Sequence, residues 1–153
     1  MPEINNCMLP EDLLYHVGNN VWIKVNDDGT IDLGMTDIAQ SMAGSIIHCK
    51  PKKVGKTVEK GKSVATVESG KWVGPVKTPC SGEIIATNPA IDSDATILNK
   101  SPYKQGWIVR LKPTDFEADK SELQSGADAA DGFKAYMKEK DFNECIHCEG
   151  FDG

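Results

Sequence analysis

The residues best placed to do chemistry are one lysine and one pair of cysteines. Lys71 stands between two strand-like runs in Val67-Glu68-Ser69-Gly70-Lys71-Trp72-Val73, just after Gly70 and ahead of a Pro79-Cys80-Ser81-Gly82-Glu83 turn. An amine at the tip of a tight hairpin is fixed at its backbone and free at its end, which suits it to carry a long prosthetic group between distant partners. The plainer reading is a solvated hairpin lysine, as most exposed lysines are. Near the C-terminus, Cys145-Ile146-His147-Cys148 has the C-x-x-C spacing of a redox pair or of half a zinc site. Cys145 and Cys148 are therefore candidate redox thiols, and equally two solvent-side thiols of an acidic tail. His16, His48 and His147 are too scattered to predict a metal site or a catalytic base. No Gly-x-Ser-x-Gly elbow and no His-Glu-x-x-His helix occurs, and Gly55-Lys56-Thr57 lacks the earlier glycine of a phosphate loop. The chain is expected to be catalytically silent and to hold no metal.

Composition narrows the partners. At 153 residues the chain suits one compact body plus terminal appendages. A net charge of −6, with Arg110 the sole arginine, argues against nucleic acid, which needs clustered cations. The lysines between Lys50 and Lys62 read as a solvated loop and a guarded sheet edge. No apolar run reaches the length of a membrane span, and the opening Met1-Pro2-Glu3-Ile4 lacks the basic-then-apolar pattern of a secretory leader. This predicts a cytoplasmic protein without a membrane partner. Five cysteines, at 7, 49, 80, 145 and 148, are odd in number and irregular in spacing, so they do not resemble a disulfide framework and fit a reducing compartment.

The elements that must position Lys71 are mostly short strands. Pro10 to Tyr15 predicts a helical turn, with Glu11 and Asp12 suiting its positive end. Val21 to Val25 and Ile31 to Met35 read as strands joined by an Asn26-Asp27-Asp28-Gly29 hairpin turn. Thr36 is the expected N-cap of a helix from Asp37 to Ala43 that Gly44 ends. Strand runs then follow at Ser45 to Cys49, Val64 to Val67, Trp72 to Val76, Glu83 to Thr87 and Trp107 to Leu111, a pattern that indicates a mainly β sandwich or barrel. Helices are predicted from Asp115 to Leu123 and from Ala127 to Lys140, the latter presenting Phe133, Tyr136 and Met137 on one face. The stretch from Asp141 to Gly153 is expected to fray.

Several fragments together resemble one family. They are Asp28-Gly29-Thr30, Gly34-Met35-Thr36-Asp37-Ile38-Ala39-Gln40, Gly44, Val67 to Lys71, Pro79 to Glu83, Asn88, and Leu98-Asn99-Lys100-Ser101-Pro102-Tyr103-Lys104-Gln105-Gly106-Trp107. In this order and spacing the chain resembles the H protein of the glycine cleavage system, in the biotinyl/lipoyl domain group. The resemblance implies a lipoyl-type hybrid β-sandwich/barrel with short peripheral helices and a C-terminal helix. It divides the chain into residues 1–124, the lipoyl domain with its N-terminal helical turn, and residues 125–153, the C-terminal helix and Cys-containing tail. It also implies that Lys71 is amide-linked to lipoic acid, giving an arm of about 14 Å built from bonds near 1.5 Å. Around the tip, Glu68, Ser69, Gly70, Trp72 and Gly82 are the implied ligase and partner recognition residues. Gly70 is expected to lend backbone freedom, and Pro79 with Gly82 to set the return turn. A resting pocket is implied near the first hairpin and short helix, with Asp37 and Ser41 as candidate walls.

The chain departs from the usual H-protein pattern at two places. Its tip reads Gly70-Lys71-Trp72, and Asn20 stands where a His-x-Trp element would place histidine. In the tip it resembles the H-like lipoate-binding proteins of the sulfur-oxidising heterodisulfide-reductase-like pathway, which implies an arm carrying a sulfur-bearing intermediate. The alternatives are an aminomethyl carrier for glycine cleavage and an unmodified scaffold docking through Trp72, which either packs inward or forms a contact surface. The implied partners are a lipoate ligase or lipoyl transferase, a heterodisulfide-reductase-like complex or the glycine cleavage enzymes, and a dihydrolipoamide dehydrogenase-type enzyme. The carrier itself is implied to be a monomer. Cys80 falls near the implied path of the arm, and Cys49 reads as a buried small hydrophobe.

Overall fold

The structure, a computed structural model, describes residues 3–152; Met1 and Pro2, part of the opening read above as lacking a leader, and Gly153 lie outside the described residues. In chain order the elements are β1 (Glu3–Ile4), β2 (Cys7–Met8), β3 (Leu14–His16), β4 (Val21–Val25), β5 (Ile31–Met35), α1 (Asp37–Ala43) and β6 (Ile46–Pro51). Then come β7 (Thr57–Val58), β8 (Ser63–Ser69), β9 (Val73–Lys77), β10 (Gly82–Thr87), α2 (Pro89–Ser93) and α3 (Ile97–Lys100). The chain ends with β11 (Trp107–Pro113), α4 (Phe116–Asp119), a 3-10 turn (Lys120–Glu122), β12 (Gln124–Ser125) and α5 (Gly126–Glu139). One sheet has the strand order β12-β3-β4-β5-β11-β10-β7, a second β6-β8-β9, and β1 pairs with β2; all pairings are antiparallel. This is the mainly β lipoyl-type architecture that the sequence predicts.

Alternation along β4 assigns its two faces. Val21 and Ile23 join Leu33, Val64, Val67, Val76 and Leu111 in a core shared by the two sheets. Trp22, on the opposite face, joins Leu9, Tyr15, Phe133 and Met137 beneath α5. Covered on both faces, β5 is buried along its whole length. Trp22 lies opposite Gly34 in the β4–β5 register, and a Cβ on Gly34 would stand 2.7 Å from the indole. That glycine makes the room for the ring, whose N–H donates to the Pro102 carbonyl at 2.8 Å, so the buried indole leaves no donor unpaired.

Local signals give the first hairpin and the short helix as predicted. The Thr36 hydroxyl caps α1 by accepting from the Ala39 N–H at 3.0 Å, and Gly44 ends it with φ 83°. Elsewhere tertiary pairing overrides local preference. The stretch expected to be a helical turn contains Leu14–His16 as strand β3, because Tyr15 pairs with Trp22 and buries its ring while its hydroxyl donates to the Pro10 carbonyl at 2.7 Å. The predicted helix from Asp115 to Leu123 shrinks to α4 and the 3-10 turn. Asp115 caps it, but Leu123 must leave the helical path so that Gln124 and Ser125 can pair with Tyr15 and Leu14. In α5, Phe133 and Met137 are fully buried and Tyr136 half-buried.

The expectation of a fraying tail is overturned. Cys145 is disulfide-bonded to Cys7, 138 residues away, with both sulfurs buried. The reading of the cysteines as unpaired, and of Cys145 with Cys148 as a free dithiol, is corrected accordingly. Spacing could not reveal this bridge, since its partners meet only after β2 and the tail dock on the same face of the body.

Candidate functional site

The site is a turn clamped to the body. Strands β8 and β9 pair up to Glu68 and Val73, and the Ser69 N–H donates to the Trp72 carbonyl at 2.8 Å, closing the turn around Gly70 and Lys71. The buried Ser69 hydroxyl donates to the Ala43 carbonyl at 2.6 Å and accepts from the Lys71 N–H at 3.3 Å. One hydroxyl therefore ties the hairpin tip to the last turn of α1. Lys71 is exposed and, among the described residues, enters no ion pair. Its stem crosses Gly44, where an added Cβ would stand 3.0 Å from Lys71 Cε.

Beneath this stem lies a hydrogen-bonded floor. The Asn99 side chain accepts from the Ile46 N–H at 2.8 Å and donates to the Gly44 carbonyl at 2.8 Å and to Gln40 Oε1 at 3.0 Å. The Gln40 amide nitrogen in turn lies 2.8 Å from Asp37 Oδ1 and 3.0 Å from Ser41 Oγ. Fully buried Asp37 also accepts from the Met8 N–H at 2.9 Å and meets His147 Nε2 at 2.7 Å. The Asp37 N–H donates to the Tyr103 hydroxyl at 2.8 Å, and that hydroxyl donates to the Met8 carbonyl. Burial holds the Tyr103 hydroxyl well above its usual range, so it stays protonated in this role. No buried side-chain polar atom among the described residues lacks a partner, so the floor is a rigid base.

Two clefts flank the tip. One, of about 310 Å³, is bordered by Lys71, Ser41, Gly44, Asn99, Lys100 and Cys148. The other, of about 210 Å³, is bordered by Trp72, Val76, Met35, Met42, Tyr136 and Asn20. No Asp or Glu borders either cleft among the described residues.

The residues singled out in the sequence fall at several places. Glu68 is exposed beside the tip, across from Val73 and His48. Trp72 is 39 % exposed and lies flat over its own strand, where a Cβ on Gly74 would stand 2.2 Å from the ring. It neither enters the core nor stands free, and it walls the smaller cleft. At Gly70 an added Cβ would meet nothing within 4 Å, and its φ is not left-handed, so the backbone there does not demand glycine. Gly82 sits beyond the far end of β9, where an added Cβ would stand 2.6 Å from the Lys112 carbonyl oxygen; it serves the β10–β11 pairing away from the tip. Pro79 and Cys80 lie at that same end, and Cys80 is wholly buried rather than on the arm's path. Ser41 borders the Lys71 cleft, whereas Asp37 is sealed within the floor. Asn20 adopts the left-handed conformation (φ 60°) at the turn into β4 and accepts from the Thr36 hydroxyl. His16 lies apart from this site, His48 pairs in register with Glu68 beside the tip, and His147 joins the floor through Asp37.

Cys148 is the exposed free thiol among the described residues. Burial, with Asp92 adding, pushes the Cys49 thiol up to about 12, and burial with Asp119 and Glu122 does the same to Cys80. Sequence reasoning missed the floor itself. Its signals were Gln40, Asn99 and Tyr103, polar residues within the fragments that carried the family resemblance.

Comparison with known proteins points to one family. The model of the family described as Glycine cleavage H-protein matches residues 13–136. Glycine cleavage system H protein 3 of Aquifex aeolicus is 45% identical over 149 residues, covering 95% of this chain and 92% of that protein. A probable glycine cleavage system H protein 2 of Sulfurisphaera tokodaii is 48% identical over 114 residues, 73% of this chain and 77% of its own. The crystal structure of a glycine cleavage system H protein from Mycobacterium marinum superposes with a TM-score of 0.72 at 30% identity, covering 82% of this chain and 98% of that one.

Proposed function

The chain belongs to the glycine cleavage H-protein family, and from that premise we propose that Lys71 bears the lipoyl group and carries a sulfur-bound fragment between enzymes. The observation that carries the assignment is the amine itself. It is exposed, free of ion pairs among the described residues, and mounted on a turn clamped to a rigid floor. The residues fit the group, since Gly44 leaves the stem unobstructed and the adjoining cleft shelters the chain beyond it. When bound, the lipoyl group supplies two sulfurs that accept and release a fragment. The protein's part is to hold the arm's root still, shelter the fragment and present it. Fast, weak exchange suits such a carrier, which must leave one enzyme to reach the next.

Charge supports a sulfur-bearing load. A protonated aminomethyl group would gain from a carboxylate in its shelter, and no carboxylate borders either cleft among the described residues. Lys100 and Cys148 border the one under Lys71, a setting for an anionic or thiol-reactive sulfur fragment. A heterodisulfide-reductase-like complex is then the client, with a lipoate ligase or lipoyl transferase and a dihydrolipoamide dehydrogenase-type enzyme serving the arm. The second reading, aminomethyl carriage among glycine cleavage enzymes, is favoured by the names of the relatives. Intact mass of the protein from its native host, with Lys71→Ala as control, tests attachment; a native pool without a lipoyl mass on Lys71 refutes it. A sulfur adduct on the lipoyl group favours the first load, and glycine-dependent aminomethyl loading by a glycine decarboxylase favours the second.

A further inference from the structure

The tail after α5 forms a wall of the Lys71 cleft, and it is pinned on both sides of Cys148. Upstream, besides the Cys7–Cys145 bridge, the Ile146 N–H donates to Ser41 Oγ at 3.0 Å. The Ile146 carbonyl accepts from Gln40 Nε2 at 3.1 Å and from the Ser41 hydroxyl at 3.2 Å. His147 meets Asp37 and stacks on Phe151, their ring centroids 3.7 Å apart. Downstream, the Asp152 N–H donates to the Lys100 carbonyl at 2.6 Å, and the Asp152 carboxylate accepts from Lys104 Nζ at 2.9 Å. These contacts hold Cys148 between α1 and α3, the two elements that flank the cleft, with its thiol exposed. The cleft brings three features together: the lysine, a polar floor with every partner satisfied, and a free thiol. Among the described residues, no hydrogen bond of the tail uses that thiol.

We propose that Cys148 is the docking thiol for the oxidised arm, forming a reversible mixed disulfide with the lipoyl group on Lys71. The inference rests on lipoylation of Lys71. The Cys148 thiolate attacks one sulfur of the closed dithiolane ring. The ring S–S bond breaks, an S–S bond forms between Cys148 and that lipoyl sulfur, and the second lipoyl sulfur leaves as a thiolate that takes up the proton Cys148 gave away. One disulfide is exchanged for another, so no outside oxidant or reductant is consumed. Attack by the released thiol on the mixed disulfide restores the ring. Lys71 and Cys148 border one cleft, so the ring at the end of the arm comes within reach of the thiol. The consequence is a redox-dependent arm, docked in the cleft when oxidised and free to swing when fully reduced.

The test uses the full-length lipoylated protein in its oxidised form, quenched in denaturant with N-ethylmaleimide, digested with trypsin without reductant and read by mass spectrometry. The expected product joins the lipoylated 63–77 peptide to the 141–153 peptide, which stays bridged to the 1–24 peptide through Cys7, and carries one maleimide on the released lipoyl sulfur. Alkylation of Cys148 is lost relative to unlipoylated protein and returns on prior reduction. In Cys148→Ser the ring stays closed, takes no maleimide, and no joined peptide forms. A lipoyl mass on Lys71 with Cys148 alkylated as fully as in unlipoylated protein overturns the inference alone. Absence of that mass in native protein overturns the carrier reading, and the docking thiol with it.

Discussion

Replacing Gly44 by alanine tests the claim that the tip rests on a base only glycine can form. Gly44 has φ 83° and ψ −166°, donates its N–H to the Gln40 carbonyl at 3.0 Å and accepts from the Asn99 amide at 2.8 Å. That backbone region is essentially restricted to glycine, and forcing another residue into it costs about 1–3 kcal/mol. The added methyl would also stand 3.0 Å from Lys71 Cε, with Cδ at 3.7 Å and Cγ at 3.8 Å. Those atoms belong to a flexible, exposed side chain that can move aside, so the backbone dominates the loss. Taking about 2 kcal/mol, and about 2–4 °C per kcal/mol for a domain of this size, the melting temperature falls by about 4–8 °C. Gly70→Ala, in the hairpin turn itself, has the opposite expectation. Its methyl meets nothing within 4 Å and its φ is not left-handed, so the change is neutral or stabilising by up to about 1 kcal/mol through the unfolded chain.

Thermal unfolding of Gly44→Ala, Gly70→Ala, Lys71→Ala and the Gly44→Ala/Lys71→Ala double variant measures both terms. If the stem yields as argued, the double variant loses the sum of its single losses to within about 0.5 kcal/mol. A large coupling would mean that Lys71 is rigidly seated, against the idea of an arm free from its stem outward. A Gly70→Ala variant less stable than Gly44→Ala would refute the reasoning about which glycine the tip requires.

Three other perturbations address the surroundings. Cys7→Ser removes a bridge across 138 residues, for which loop entropy sets a ceiling of about 5 kcal/mol; urea unfolding without reductant should show a midpoint drop of the kind reductant causes in the native chain, and an unchanged midpoint would deny the bridge. Asn99→Ala leaves the Ile46 N–H and the Gly44 carbonyl without their Asn99 partner, a loss of about 2–6 kcal/mol at about 1–3 kcal/mol per buried group, with faster amide exchange at Ile46 as the local readout. For His16, burial disfavours the charged ring and outweighs attraction from Glu122, with Lys60 adding repulsion, so its pKa is lowered in the fold. The unfolded chain therefore takes the proton first, and stability drains as pH falls from about 7 through the ordinary histidine value near 6.5. His16→Asn should flatten that slope, and identical slopes would refute the assignment.

Legibility in the sequence divided along the range of the forces involved. The first hairpin and α1 were readable because Asp28-Gly29, the Thr36 cap and the Gly44 stop act within a few residues. At α2, Asn88 caps and Pro89 opens a helix of five residues, too short to show any period. Pro10 to Tyr15 carries helix-start chemistry, yet pairing with Trp22 draws it into a sheet. The tail misled for the opposite reason. Its acidic, glycine-dotted composition describes a chain with little to bury, and what holds it is a covalent bond and hydrogen bonds to residues more than 100 positions away. Of the candidate site, the lysine was legible as the tip of a hairpin. Cys80 and Gly82 were not correctly placed, because nearness to Lys71 along the chain becomes a whole strand's separation once β9 extends between them.

The fragments that carried the family resemblance acquire a physical reason in this fold. Residues 34–40 and 98–107 are far apart in the chain, yet Tyr103 pairs with the first N–H of α1, Asn99 with Gln40, and Asn99 again with the Gly44 carbonyl under the Lys71 stem. They form one network whose output is the position of Ala43 and Gly44. Ser69 transmits that position to the hairpin through a single hydrogen bond to the Ala43 carbonyl. Rigidity therefore ends at the backbone of the tip, and motion begins in the side chain of Lys71. A carrier needs that boundary. A mobile root would blur the shape a ligase must read, whereas a stem packed into the floor could not reach a second enzyme. The tail adds a further control at the same boundary, since it walls the cleft through contacts to Gln40, Ser41 and Asp37 of the same network. Loosening the tail by reducing the Cys7–Cys145 bridge would therefore alter the shelter of the arm while leaving the Ser69 clamp on its root in place.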